Sequence, residues 1–218
     1  MLKNFLIGIP VRNFKNPMSR LENVLSVEKR IELSKGMFEN IVKSFENDDT
    51  KIVCITNDEL VIDYCKNNDI ETFSTRKKGL NFELEEFLHS YEYEYWTICH
   101  ADLPYLNNFY AQEWIKECKS SQIVICSSKD SGTPLLGGNI KIKKLMYGKN
   151  SFDNHMNIFL QENLDIKKSF NKEFSFEIDD EEDFNSFLQH RPRWSKNLEF
   201  EQPRPDLNRR FRLERAAS

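Results

Sequence analysis

Four short apolar runs rich in β-branched or aromatic residues punctuate the first part of the chain: FLIGIPV (5–11), KIVCIT (51–56), YWTICH (95–100) and QIVICSS (122–128). Apolar runs this short predict strands buried on both faces. Between them the apolar positions recur at helical spacing. SVEKRIELSKGMFENIVKSF (26–45) puts Ile31, Leu33, Met37, Ile41, Val42 and Phe45 near one face, behind Ser26 as a candidate N-cap. DELVIDYCKNN (58–68), NFELEEFLHSY (81–91) and NNFYAQEWIKECK (107–119) read the same way. Alternation of this kind predicts a mostly parallel, doubly wound α/β sheet. Beyond residue 128 the rhythm changes. PLLGGNIKI predicts a strand interrupted by Gly137 and Gly138, a helix follows from Ser151 to about Asn163, and EFSFEIDDEEDFNSFLQH (173–190) predicts a strand running into a helix.

A chain of 218 residues can bury a sizeable core in one domain. That domain is expected to span 1–190. From Arg191 onward lie seven of the eleven arginines together with Pro192, Pro203 and Pro205, which predicts an Arg/Pro-rich tail, 191–218, outside the core. It would be a phosphate-binding arm, a partner-binding segment, a disordered end or a vector-derived addition. Five cysteines without CxxC spacing, three of them in strand-like runs, suggest reduced core thiols over disulfides or zinc. No long apolar span and no signal-like N-terminus are present, so a soluble cytoplasmic protein without a membrane partner is expected. A formal net charge of -4 gives no reason to expect a nucleic-acid partner, and an anionic substrate would have to be met by local basic groups.

Chemistry is carried by loops. HADLPYL (100–106) ends a strand at Leu-Pro and leaves Asp102 at its exit, where open α/β sheets bind ligands, although an Asp there can equally cap the next helix or shape a turn. After the first strand, PVRNFKNPMSRL offers Arg12, Lys15, Ser19 and Arg20 to a polyphosphate, without any Gly-rich phosphate turn. Gly79 and Asn81 open a helix, where Gly permits close backbone approach and Asn can read a base edge, or both simply make a turn. SGTPLLGGN and YGKNSFDNH each hold a small residue and a hydroxyl, Gly132 with Thr133 and Gly148 with Ser151, and Ser151 is either an N-cap or part of an anion site at a helix start. Glu177 and Asp179 alternate on one face of the expected last strand, so one metal could see both.

The order of these elements is more specific than any one of them. From Phe5 to about Phe187 the chain resembles the CofC/FbiD family, guanylyltransferases of deazaflavin (coenzyme F420) biosynthesis within the MobA-like nucleotidyltransferase group. The likeness is carried by IPVRNFKNPMSRL, LSVEKRIELSKGMFENIV, GLN, ADLPYL, SGT, YGKNSF and FEIDDEEDF, with a fifteen-residue step from Thr133 to Gly148. It implies a MobA-like fold and transfer of GMP from GTP to a small phosphorylated three-carbon acid: phosphoenolpyruvate, 2-phospho-L-lactate or 3-phosphoglycerate. It assigns Mg²⁺ to Asp102, Asp179 and Glu177, catalysis to Asp102, Arg20 and Lys15, the nucleotide to Arg12, Ser19, Gly79 and Asn81, and the acceptor to Thr133, Gly148 and Ser151. Met18 stands where the family has a lysine, Pro134 where it has an asparagine, and DDEEDF lacks its Thr-Pro. A molybdopterin or sugar-phosphate nucleotidyltransferase, or a catalytically silent nucleotide-binding paralogue, remains an alternative, as does a homodimer against a monomer.

Overall fold

Residues 4–200 are described by the computed structural model. Seven strands, β1 (Phe5–Pro10), β2 (Thr50–Ile55), β3 (Glu71–Phe73), β4 (Tyr95–Cys99), β5 (Ile123–Cys126), β6 (Leu135–Gly138) and β7 (Ile166–Ser169), form one sheet in the order β3-β2-β1-β4-β6-β5-β7. Every pairing is parallel except the two made by β6, which runs against both β4 and β5. The expected mostly parallel α/β domain is therefore what forms. The helices are α1 (Val27–Phe45), α2 (Glu59–Asn67), α3 (Leu80–Ser90), α4 (Asn108–Ser120), α5 (Ser151–Gln161), α6 (Lys172–Ser175) and α7 (Glu181–Gln189).

Alternation along the strands divides the core between the two faces of the sheet. Phe5, Ile7 and Ile9 of β1 meet Phe38 and Ile41 of α1 and Trp114 of α4, whereas Leu6 joins Trp96, Ile98 and the α3 residues Leu84 and Phe87 on the other face. Both sets are fully or almost fully buried, which explains the unbroken apolar runs in the sequence. Ser26 caps α1 as expected, accepting from the Lys29 N–H at 3.3 Å. All five cysteines are buried and unpaired. No described helix is long and apolar enough to cross a membrane.

Three expectations are corrected. Residues 173–179 do not form a strand: Asn171 caps the short α6, Phe174 drops into the core against Trp114, and 176–179 continue as chain outside the sheet. Period-two alternation survives there because buried Ile178 lies between the less buried Glu177 and Asp179. The body also extends past residue 190. Trp194, Leu198 and Phe200 pack with Leu21, Met37, Phe184 and Phe187 in a third apolar cluster, and a Cβ on Gly36 would stand 2.7 Å from the Trp194 ring. The remainder of the Arg/Pro-rich tail lies outside the described residues. Gly137 and Gly138 do not interrupt β6 but belong to it.

After β1 the chain winds outward through β2 to β3, then returns to lay β4 on the opposite side of β1. The carboxyl ends of β1 and β4 therefore flank the point where the winding reverses, the usual ligand crevice of such sheets.

Candidate functional site

A cavity of ≈ 590 Å³ opens at that point. Its walls come from the loop after β1, from His100 to Asp102, from Asp130, Gly132 and Thr133 before β6, from Tyr147, Gly148 and Ser151, and from Glu177 to Asp179.

Asp102 is held from both sides. The His100 N–H donates to the Pro134 carbonyl at 2.9 Å, extending the contact of β4 with the start of β6, and the Ile178 N–H donates to the Asp102 carbonyl at 3.2 Å. The second bond brings the Glu177–Asp179 segment against the strand exit. Asp102 does not cap α4, because Asn107 does so, accepting from Tyr110 N–H. Its own Oδ1 is buried with no hydrogen-bond partner. Burial, then the neighbouring Glu177, pushes the Asp102 carboxyl up to about 7. Burial and Glu177 also raise Asp179, against the pull of Arg20, whose Nη1 stands 3.7 Å from Asp179 Oδ1. His100 Nδ1 lies 2.7 Å from Glu177 Oε1. Burial alone would lower His100, but the Glu177 contact prevails and raises it.

Two overlapping groups of candidate ligand atoms result. His100, Asp102 and Glu177 form one, and Asp130, Glu177 and Asp179 the other, each with its ligand atoms within 4.8 Å of one another. Carboxylates crowded together, with one oxygen lacking any donor, fit a divalent cation better than they fit each other. If Asp102 is a ligand, a cation competes with its proton, and the apparent affinity should rise with pH up to about 7, as read by calorimetric titration with Mg²⁺. A flat profile from pH 5.5 to 8 would remove Asp102 from the ligand set.

The basic loop is shaped from beneath. Arg30 of α1, 5 % exposed, donates through Nη1 to Asn16 Oδ1 at 2.6 Å and to the Pro17 carbonyl at 2.8 Å. Met18 then takes a left-handed conformation (φ 49°) and starts the one-turn helix Ser19–Leu21. Arg12, Ser19 and Arg20 line the cavity, while Lys15 is exposed and does not.

On the opposite wall the polar groups are linked to each other. Met146 N–H donates to His155 Nε2 at 2.8 Å, which leaves Nδ1 as the protonated nitrogen, 3.1 Å from Thr133 Oγ1. Burial lowers His155 to about 4, so the ring is neutral. Ser151 Oγ donates to the same Thr133 oxygen at 3.0 Å. Thr133 thus accepts twice, and its own proton is the one left to give. Ser151 is the first residue of α5 and not its cap, since Asn150 (φ 54°) holds that position without a side-chain bond. Gly148 has φ 134° and open space where a Cβ would be.

Asn81 departs from expectation. Its side chain donates to the Tyr147 carbonyl at 3.0 Å and accepts from the Tyr147 N–H at 2.7 Å, so the amide is committed to backbone and does not face a base. Gly79 (φ 106°) precedes α3 outside the cavity lining, to which this turn contributes Leu80. Five residues that the sequence pattern did not single out belong to this region: Arg30, His100, Asp130, Tyr147 and His155. His100 adjoins the recognisable ADLP, and Tyr147 opens YGKNSF, but the roles of the other three depend on partners distant in sequence.

Residues 5–199 match the family model described as guanylyl transferase, CofC like. A 2-phospho-L-lactate guanylyltransferase from Methanocaldococcus jannaschii is 31% identical over 59% of this chain, and that match spans 57% of the relative's own length. One of the same name from Methanosphaera stadtmanae is 26% identical over 84% of this chain and 82% of its own. Among solved structures, a Desulfovibrio desulfuricans G20 protein carrying the provisional name nucleotide-diphospho-sugar transferase superposes with a TM-score of 0.71 at 14% identity, covering 99% of this chain and 96% of that one. This last likeness concerns the fold.

Proposed function

The chain belongs to the CofC-like guanylyl transferase family, and from that premise we propose that it joins GMP from GTP to a small phosphorylated three-carbon acid, with 2-phospho-L-lactate the first candidate acceptor, and releases pyrophosphate. The observation that carries this reading is the arrangement of the cavity: cationic side chains on one wall, carboxylates on the floor, and oriented neutral donors opposite.

An acceptor phosphate oxygen attacks the α-phosphorus of GTP, forming one P–O bond as the bond to the bridging β-phosphate oxygen breaks. Both partners are anions, so the protein's work is alignment and charge neutralisation. Arg12 and Arg20, with the Ser19 hydroxyl, hold the departing pyrophosphate. Lys15, exposed on the same loop, adds positive charge at longer range. Glu177, common to both groups, would hold a divalent cation with Asp102 on one side or with Asp179 on the other, Mg²⁺ in the simplest case, which would supply positive charge to the reacting phosphates. The guanosine lies toward Leu80 and the Gly79 turn, and Asn81 acts indirectly by fixing Tyr147. Thr133, with the Gly148 backbone, receives the acceptor's carboxylate, and Ser151 serves it indirectly through the bond it donates to Thr133. A sugar hydroxyl would need an acceptor in return, whereas the His155 polarity leaves Thr133 as a donor.

Incubation with GTP or other nucleotides, a divalent cation and a panel of phosphorylated acids and sugar phosphates, read by pyrophosphate release and mass spectrometry, tests the reaction. A GMP-capped acid is expected. Thr133→Val should raise the acceptor KM about tenfold and leave the GTP KM within about twofold. Turnover only with a sugar phosphate would sink the acid-acceptor reading, and no turnover with any pair would sink the transferase reading.

A further inference from the structure

We propose that His100 is a nitrogen ligand of the divalent cation and biases this centre toward a first-row transition ion, with Mn²⁺ as the probe, over Mg²⁺. This rests on the reading above that Asp102 and Glu177 hold a cation.

Three observations converge on His100. Its ring lines the cavity and is about a quarter exposed, so one edge is reachable from the site. A ring nitrogen and one oxygen each from Asp102 and Glu177 lie within 4.8 Å of one another. The buried Asp102 Oδ1 has no partner, although it stands beside a His and a Glu that are bonded to each other. A cation explains all three together.

The geometry also has the right scale. Two ligand atoms about 2.1 Å from one ion and at right angles to it are about 3 Å apart. His100 Nδ1 and Glu177 Oε1 are already 2.7 Å apart, so a small opening admits an ion where a shared proton now lies. Imidazole nitrogen is a softer donor than carboxylate oxygen. A set of one His and two carboxylates suits Mn²⁺, Fe²⁺ or Co²⁺, whereas Mg²⁺ prefers oxygen throughout. If Glu177 also serves the Asp130–Asp179 group, the softer ion sits on the β4 side and the harder environment on the other.

The test uses the whole chain with Mn²⁺ alone, without nucleotide or acid. Pulsed electron paramagnetic resonance of the Mn²⁺-loaded wild type should show a ¹⁴N coupling of the size given by directly bound imidazole. Competition titrations should show that His100→Asn, which offers a carbonyl oxygen and can still donate to Glu177, lowers the Mn²⁺-to-Mg²⁺ affinity ratio at least about tenfold with little change in melting temperature. Absence of the ¹⁴N coupling in the wild type overturns the proposal, as does an unchanged affinity ratio in the variant. Equal weakening of both ions would make His100 a positioning residue that only steers Glu177. A bound nitrogen without any turnover on the nucleotide and acceptor panel would keep the metal assignment and sink guanylyl transfer.

Discussion

Asp102→Asn is expected to lower turnover by on the order of a thousandfold, about 4 kcal/mol of transition-state stabilisation, while the protein stays folded. The substitution keeps the side-chain volume and removes the charge that a cation on the cavity floor would need. It breaks no hydrogen bond of Asp102 Oδ1, because that oxygen has none, and the backbone bond from Ile178 to the Asp102 carbonyl is untouched. The effect on stability has a definite sign. An acid whose folded-state pKa is raised, here to about 7, favours the folded state in its neutral form and loses that contribution as pH rises from the unfolded value through 7. Above pH 7 a permanently neutral Asn removes this cost, so the metal-free variant should melt no lower than the metal-free wild type at pH 8. Scanning calorimetry at pH 8 with chelator and steady-state kinetics with saturating cation check the two halves separately. Activity within tenfold of wild type would exclude Asp102 from the reacting centre, and a large fall in melting temperature would make it a structural residue.

The second large effect concerns stability. Gly138→Ala should destabilise the protein by at least about 3 kcal/mol and lower its melting temperature by about 6–12 °C. A Cβ at Gly138 would stand 2.0 Å from the Gln122 carbonyl oxygen, and one at Gly137 would stand 2.5 Å from the Trp96 carbonyl oxygen. Both obstacles are backbone, and β6 is paired on both sides, so neither neighbour can yield without parting a ladder. Thermal melts of Gly138→Ala beside Gly36→Ala, where the clash is with the Trp194 ring, compare backbone obstruction with a movable side chain. A fall of less than about 2 °C for Gly138→Ala would mean that β6 shifts freely within the sheet.

That glycine pair shows what a one-dimensional pattern conceals. Gly137 and Gly138 look like an interruption because their packing requirement comes from β4 and β5, which are distant in sequence. The strands that were legible, β1, β2, β4 and β5, are buried on both faces and advertise it. The edge strands β3 and β7 read ETF and IKKS, too short and too polar to stand out. In the candidate site, Asp102 was visible because Leu-Pro marks a strand exit, and the Glu177–Asp179 pair because it alternates, although the alternation arises outside the sheet. His155 could not be read in this way: on α5 it looks like any core residue, and only Met146 and Thr133 give its two nitrogens different tasks. Asn81 had two readings, base reader or turn residue, and only a partner 66 positions away decides against the first.

Residues 139–150 carry the chain from the far end of β6 back to the cavity without a helix or strand of their own. Ile142, Leu145 and Tyr147 are buried against the sheet, and the backbone is pinned by Glu85 to the Leu145 N–H at 2.8 Å, by Asn81 to Tyr147 and by His155 to Met146. Lys143 and Lys144, between the buried anchors Ile142 and Leu145, and Lys141 just before them, are exposed. For a lineage accumulating substitutions, such a segment has two rates of change built into it. The lysines can drift in size and charge at little cost, whereas Leu145, Tyr147 and their side-chain tethers on α3 and α5 must change together or not at all. Descendants of this chain should therefore differ most in the colour of this strap and least in where it is fastened.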